Sequence, residues 1–146
     1  MIISKTPKPF KDRWQTPIEV FQALDVEFNF KLDATADENN TLCKDFLTEQ
    51  QDALTCDWNI EGAIFCNPPY SSKMMPWVKK AAKQYRKQKK TIVMLLPSDT
   101  STAWFHEALK TSDEVRFITE GRLLFVSTET GKEGKAGNSK GSVLFI

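Results

Sequence analysis

Asn67-Pro68-Pro69-Tyr70 directly follows the apolar run 63–66, and this tetrapeptide has the residue types for an unusual piece of chemistry. Two successive prolines fix φ and hold the preceding residues extended, so the Asn67 side-chain oxygen and a neighbouring backbone carbonyl can point the same way. Two convergent acceptors suit a planar NH2 group, because bonds from both N–H groups favour a pyramidal nitrogen with a localised lone pair. Tyr70 offers a face for stacking a flat base. The motif therefore predicts activation of a planar amine toward a cofactor-borne electrophile, with a rigid strand exit as the alternative.

Short apolar runs alternate with helical stretches, which predicts an α/β fold with a mostly parallel sheet around this motif. Thr16 and Pro17 predict the N-cap and first residue of a short amphipathic helix. The run 91–97 is apolar on both faces and predicts a central parallel strand. Other strands are predicted at 28–34, 63–66, 115–119, 122–126 and 142–146, and other helices near 40–50, within 74–90 and near 102–111. The last two strands are predicted to form an antiparallel hairpin at the sheet edge.

The carboxyl ends of the predicted strands indicate where a ligand would bind. In an open parallel sheet, ligands lie beyond these ends, because that is where the connecting loops diverge around a crevice. The residues that end strands are Asp33, Asn67 and the segment 97–99. We therefore expect these positions to lie around one site.

Length, charge and cysteine spacing bound the class of protein. The 146 residues fit one domain, with an extended arm over 1–13 and a single domain over 14–146. Twenty Lys and Arg against nineteen Asp and Glu leave a net charge of +1, which neither indicates nor excludes a polyanionic partner. The three cysteines lack CxxC or Cys/His spacing, which disfavours a disulfide framework and a zinc site. No apolar run approaches the roughly 20 residues of a membrane span, so we expect a soluble cytoplasmic protein.

Six segments, in their order and spacing, resemble a known family. They read DRWQTPIEVFQAL, FKLDATADENN, QDALTCDW, IFCNPPYS, LLPSDTSTAWF and GRLLF. With this pattern the chain resembles the phage-type DNA N6-adenine methyltransferases, which use S-adenosylmethionine and carry a D/N-P-P-Y/F/W motif. The resemblance implies a single-domain Rossmann-like methyltransferase fold and methyl transfer to N6 of adenine in DNA. It also implies a phage or prophage gene expressed in a bacterial host, and we expect a monomer.

The resemblance further implies which residues hold the cofactor. Trp14 would cover it, Thr16 would bond its carboxylate, and Asp33 would face its positively charged methionine end. Asp52 would accept from the exocyclic amine of its adenine ring, with the nearby Asp57 as a competitor. Further cofactor contacts are expected from Pro17, Ala34, Ala36, Asn39 and Asn67. The glycines common in this loop of methyltransferases are absent, and a capped helix start is the alternative for the segment after Asp33.

The same resemblance assigns the substrate side of the site. Asn67 and Pro68 would polarise the amine, Pro69 completes the rigid motif, and Tyr70 would stack the base. The substrate pocket is expected from Tyr70, Ser71, Pro97, Ser98, Asp99 and Arg122. A base inside a duplex cannot reach Asn67, so the adenine must be flipped out or presented single-stranded. The basic run 79–90 is predicted to be a solvated face that can also attract phosphates.

Two other functions remain open from the residues. The NPPY motif alone fits other planar amines equally well, namely adenine in RNA or a glutamine amide in a protein. From a different class, a non-catalytic nucleic-acid-binding module with the same fold would also account for a glycine-free segment after Asp33.

Overall fold

The computed structural model describes residues 14–36, 41–48, 51–69, 73–119, 126–127 and 141–146, with only the backbone at 14–15 and 126–127. The strands are β1 Trp14–Gln15, β2 Phe30–Asp33, β3 Asp45–Phe46, β4 Ala63–Cys66, β5 Ile92–Pro97, β6 Val115–Ile118, β7 Val126–Ser127 and β8 Ser142–Phe145. The helices are α1 Ile18–Phe28, α2 Met74–Gln88 and α3 Ala103–Thr111. The predicted α/β class is confirmed.

Six of these strands form one mostly parallel sheet in the order β3-β2-β4-β5-β8-β6. The first four are parallel to one another, whereas β8 is antiparallel to both β5 and β6. β1 and β7 pair separately as a two-stranded antiparallel ladder. The parallel order brings the carboxyl ends of β2, β4 and β5 to one edge of the sheet.

Helices cover both faces of the sheet, so its central strands are buried on two sides. Phe21 and Leu24 of α1 pack on one face against Phe65 and Leu95. α2 and α3 pack together on the other face, over a cluster that includes Met94. Five of the six residues of β5 are buried, which confirms the central strand predicted from its two apolar faces.

The helix α2 shows why its sequence suits this packing. Met74, Trp77, Val78 and Ala81 are buried and recur at the spacing of one helix face, while Lys79 and Lys83 on another face are exposed. Pro76 lies in the first turn, where the missing N–H costs no helical hydrogen bond. The helix ends at Gln88, and Lys89 adopts a left-handed conformation with φ of 58° and donates its N–H to the Tyr85 carbonyl.

The helix predicted near 40–50 is wrong for the described part of that segment. The described residues instead form β3, which extends the sheet beside β2 through the pairs Leu32 with Asp45 and Asp33 with Phe46. Thr41 also competes with helix formation, because its Oγ1 accepts the Cys43 N–H and donates to the Cys43 carbonyl. Local polar bonds and pairing with β2 therefore override the helical pattern.

The helix start predicted at Thr16 is displaced by one residue. α1 begins at Ile18 with Pro17 as its N-cap, and the Pro17 carbonyl accepts the N–H groups of Val20 and Phe21. Pro17 has ψ of 135°, which is extended and not helical. Thr16 therefore does not cap the helix, and its hydroxyl is used elsewhere.

The C-terminal strand is antiparallel, as expected, but it does not lie at the edge of the sheet. β8 is inserted between β5 and β6 and pairs with both. The strand predicted at 122–126 lies outside the described residues except for Val126, which pairs with Gln15. The six-stranded sheet thus gains an antiparallel interior strand where an edge hairpin was expected.

The cysteines are thiols, and two of them are deeply buried. Burial raises the pKa of the Cys43 thiol to about 12 and that of the Cys66 thiol well above its usual value. Both are therefore unreactive packing residues at neutral pH. Among the described residues, no helix combines the length and the apolar character needed to cross a bilayer.

Candidate active site at the carboxyl ends of three strands

The topology brings Asp33 and Asn67 to adjacent positions at one edge of the sheet. Asp33 ends β2 and pairs with Phe65 of β4, and Asn67 is the first residue after β4. Pro97 ends the next parallel strand, β5. The three predicted strand ends therefore meet at one edge of the sheet, and the contacts between these loops decide what each side chain can do.

The Asn67 backbone is held by Thr35, a residue that sequence reasoning did not select. Thr35 Oγ1 accepts the Asn67 N–H at 3.2 Å and donates to the Asn67 carbonyl at 3.0 Å. A single hydroxyl thus uses both its acceptor and its donor on the backbone of one residue. The available signal was weak: a lone hydroxyl between Ala34 and Ala36, two residues beyond a strand end.

The Asn67 side chain is held by Thr16. Asn67 Nδ2 donates to Thr16 Oγ1 at 2.9 Å, and Thr16 is 2% exposed. Because the amide nitrogen is bound to this hydroxyl, the amide oxygen Oδ1 points away from Thr16. Asn67 is half-buried, and within the described residues no donor is bonded to Oδ1.

The two prolines after Asn67 differ from each other in exposure. Pro68 is fully buried, while Pro69 is partly exposed, as Asn67 is. Thr35 donates to the Asn67 carbonyl, and the next carbonyl in the motif is that of the covered Pro68.

Asp33 is a buried carboxylate without a cationic neighbour. It is 4% exposed, and its two oxygens accept the backbone N–H groups of Thr35 at 3.2 Å and Leu42 at 3.4 Å. Burial raises the pKa of Asp33 from 3.8 to about 6, an effect that the two backbone hydrogen bonds only partly offset. No ion pair joins it to a Lys or Arg in the part of the chain that the structure describes. A bound cation would supply the missing countercharge.

Ala34 and Ala36 are both buried in the loop that follows β2. The Ala34 N–H donates to the Phe65 carbonyl at 2.9 Å, and the Ala36 N–H donates to the Leu47 carbonyl at 3.0 Å. These donors are already used, so a ligand could meet the two alanines only through van der Waals contact. Their small side chains are consistent with a close approach of that kind.

The two competing carboxylates of the next loop are distinguished by their partners. Asp57 accepts from Gln84 Nε2 and from Lys87 Nζ, both on α2, so it ties this loop to the helix. Asp52 is exposed and lies beyond the carboxyl end of β3, with φ of 50° and Oδ1 accepting the Leu54 N–H at 3.2 Å. Among the described residues Asp52 therefore has fewer side-chain partners than Asp57, and its assignment to the cofactor stays a prediction.

The end of β5 is organised by local hydrogen bonds. The Ser98 N–H donates to the Gly141 carbonyl at 2.8 Å, which joins this loop to β8. The Asp99 carbonyl accepts from Thr102 Oγ1, and Asp99 Oδ1 accepts from Ser101 Oγ. The N-cap of α3 is Thr102, which accepts the Phe105 N–H. Pro97, Ser98 and Asp99 thus help to form the turn into α3.

The side chains of the remaining predicted site residues are not described, so their positions relative to Asp33 and Asn67 are not stated. Tyr70, Ser71, Asn39 and Arg122 lie outside the described residues, and only the backbone of Trp14 is described, paired with Ser127. Their assigned roles stay predictions. His106 is exposed on α3.

Comparison with known proteins gives a consistent family. The family model described as DNA N-6-adenine-methyltransferase (Dam) matches residues 3–146. The chain is 42% identical over 142 residues to the DNA N-6-adenine-methyltransferase of Haemophilus phage HP1, covering 94% of this chain and 80% of that protein. It is 40% identical over 158 residues to the protein of the same name from Escherichia phage T1, covering 98% of this chain and 65% of that protein. The chain therefore belongs to the DNA N-6-adenine-methyltransferase (Dam) family.

Proposed function

We propose that this protein transfers a methyl group from S-adenosylmethionine to the N6 amine of adenine in DNA, on a single-domain Rossmann-like methyltransferase fold. The observation that carries the proposal is the state of Asn67, whose backbone and amide nitrogen are bound by two threonines while no described residue donates to its Oδ1. Membership of the Dam family supports DNA adenine as the acceptor. The proposed setting is the cytoplasm of a bacterial host carrying the phage or prophage gene, with the protein acting as a monomer.

The cofactor would supply an electrophilic methyl group on a positively charged sulfur. The donor set fits such a ligand, because Asp33 is a buried carboxylate that no cation among the described residues neutralises. Thr16 Oγ1 accepts from Asn67, which leaves its own hydrogen to donate to the cofactor carboxylate. Asp52 would accept from the adenine amine of the cofactor. Trp14, Pro17, Ala34, Ala36 and Asn39 are proposed to complete this side of the site.

Catalysis would consist of polarising the substrate amine. Asn67 Oδ1 would accept one N–H and the Pro68 carbonyl the other, which localises the nitrogen lone pair for in-line attack on the methyl carbon. Since Pro68 is buried, its carbonyl must become accessible when the base is inserted. Tyr70 would stack the base, with Pro69 keeping the motif extended. Ser71, Pro97, Ser98, Asp99 and Arg122 would surround the flipped nucleotide.

The proposal is tested by asking which macromolecule accepts the methyl group. Purified protein is incubated with methyl-tritiated S-adenosylmethionine and, in parallel, with duplex DNA, RNA and a protein extract. We expect label in DNA only, and N6-methyladenine as the labelled nucleoside after digestion. Asn67→Ala serves as the control for contaminating activity and is expected to abolish this label.

Each other outcome of that experiment overturns the proposal in a defined way. Label in RNA or in protein would reassign the acceptor to RNA adenine or to a glutamine amide. No label in any of them, together with no calorimetric binding of S-adenosylmethionine, would indicate a non-catalytic nucleic-acid-binding module.

A further inference from the structure

The positive charge of this chain is concentrated around α2. Residues 73–90 contain eight of its twenty Lys and Arg residues and none of its nineteen Asp and Glu residues. The rest of the chain therefore has twelve cations and nineteen anions, a net charge of −7. The net charge of +1 for the whole protein is therefore the sum of a strongly basic helical segment and an acidic remainder of the chain.

Three of these cations form an exposed row, here called the basic stripe and defined as Lys79, Lys83 and Arg86. Their spacing of four and three residues places them on one side of the helix. All three are exposed, whereas Val78, Ala81 and Gln84 on the inner side are buried. The stripe is therefore presented to solvent along the middle of α2.

The stripe differs from its neighbours because it is not neutralised by the protein. Lys87 pairs with Asp57, and Lys90 pairs with Glu61 at 2.7 Å. No ion pair is formed by Lys79, Lys83 or Arg86 within the described ranges. Two acidic residues thus neutralise the carboxyl-terminal end of the basic segment and leave its middle positive.

Helix stability does not explain the stripe. Like charges three and four residues apart repel and destabilise a helix, and solvated faces usually mix both signs. Arg86 lies in the last turn, where the helix dipole favours a cation. Lys79 and Lys83 lie too far from that end to gain from it. A polyanionic partner would convert this unfavourable arrangement into a favourable one.

The position of α2 indicates which polyanion would bind the stripe. The helix starts seven residues after Asn67, so the basic segment runs away from the edge of the sheet where a base would be presented. From Lys79 to Arg86 the helix rises about 10 Å. A DNA strand carries one phosphate about every 3.4 Å along the helix axis, so a row of this length can contact several phosphates.

We propose that the basic stripe binds the phosphate backbone of the DNA that flanks the target adenine. The stripe would contribute affinity and orientation that are independent of sequence, because phosphate contacts carry no base information. The inference rests on the proposed function only in taking DNA as the substrate.

The test compares two triple variants with equal loss of charge. Lys79→Gln, Lys83→Gln and Arg86→Gln are combined in the stripe variant. The control combines Lys31→Gln, Lys44→Gln and Lys110→Gln, which are also exposed but lie on other elements. Binding to a fluorescent DNA duplex is measured by anisotropy at several salt concentrations, and thermal unfolding checks that both variants are folded.

We expect the slope of log K against log salt to become shallower by about 2 to 3 in the stripe variant, since each phosphate contact contributes roughly 0.9. The control variant is expected to keep the wild-type slope. In methylation assays the stripe variant is expected to raise KM for DNA with kcat and cofactor affinity unchanged. An unaltered slope in the stripe variant, or an equal change in the control, would overturn the proposal.

The design separates this inference from the proposed function. Wild-type binding with a steep salt dependence but without methyl transfer to adenine would remove the proposed function and leave the stripe intact. Methyl transfer by a stripe variant that binds DNA as wild type does would remove the stripe and leave the function intact.

Discussion

Asn67 and Asp33 lie on adjacent loops of the same sheet edge, yet the protein holds them in opposite ways. Asn67 makes three hydrogen bonds with Thr16 and Thr35, and no described residue donates to its Oδ1, the oxygen that would meet a substrate. Asp33 is buried with two backbone hydrogen bonds and without a countercharge among the described residues, and burial raises its pKa to about 6. In the proposed mechanism the Asn67 amide is thus organised before any ligand binds, whereas Asp33 would gain its countercharge from the cofactor.

Replacing Asp33 tests the second half of this comparison and is expected to have the largest effect. Asp33→Asn removes the charge that would pair with the cofactor, and we expect binding to weaken by roughly 100-fold or more, since loss of a buried charge partner costs about 3–5 kcal/mol. The ligand-free variant is expected to be more stable at alkaline pH by roughly 1–2 kcal/mol, because a charge penalised by burial is gone. Calorimetry and urea unfolding measure the two quantities. Weaker binding accompanied by lower stability would contradict this account.

The pH dependence of cofactor binding sharpens the same point. The raised pKa means that Asp33 stabilises the folded ligand-free protein only while it is protonated. This contribution to the free energy of unfolding is complete below pH 3.8 and is lost as the pH rises through about 6. Binding a cation requires the carboxylate. Affinity is therefore expected to rise by about tenfold per pH unit below 6 and to level off above it. Calorimetry across this range checks the slope, and a flat profile in Asp33→Asn is the matched control.

Removing the Thr35 hydroxyl breaks the first half of the comparison. Thr35→Val keeps the shape but leaves the Asn67 N–H and carbonyl without this partner, at a cost of about 1–3 kcal/mol in unfolding free energy. We expect kcat to fall by about tenfold as Asn67 loses its fixed position, while KM for the cofactor changes little. Thr35→Ser restores the hydroxyl and is expected to recover kcat. If the serine variant were as slow as the valine variant, the hydroxyl would not be what positions Asn67.

The smallest effects are expected from the two carboxylates beyond β3. Asp52→Asn is expected to weaken cofactor binding by a few-fold, because it removes an exposed acceptor in a solvated loop. Asp57→Asn is expected to leave that affinity unchanged and to lower stability only slightly, since its exposed bond to Lys87 is a surface ion pair. Equal affinities in the two variants would remove the assignment of Asp52.

Features that depend on residues within one segment could be predicted from the sequence, whereas features that depend on contacts between distant residues could not. The strand before Asn67, the two-sided burial of β5 and the amphipathic α2 follow from periodicity within each segment. The segment near 40–50 was assigned wrongly because its pairing with β2 is a contact between distant residues. Thr35 was missed for the same reason, since its value comes from meeting Asn67, 32 residues away.

Thr16 was selected from the sequence, but not for the hydrogen bond that it forms in the structure. Sequence reasoning made it a helix cap and a cofactor ligand, but its hydroxyl accepts from the Asn67 amide, 51 residues along the chain. No local pattern encodes that bond. The edge of the sheet was therefore predictable from strand ends, while the hydrogen bonds that organise it required the fold.

The most direct test of the account is to compare Asn67→Ala with Asn67→Asp in single-turnover methylation of DNA, alongside calorimetry with the cofactor. The aspartate keeps an acceptor oxygen beside Thr16, whereas the alanine removes it. The account predicts a fall of roughly 100-fold or more in the alanine variant and substantially higher activity in the aspartate variant, with cofactor binding close to wild type in both. Wild-type turnover by the alanine variant would contradict it.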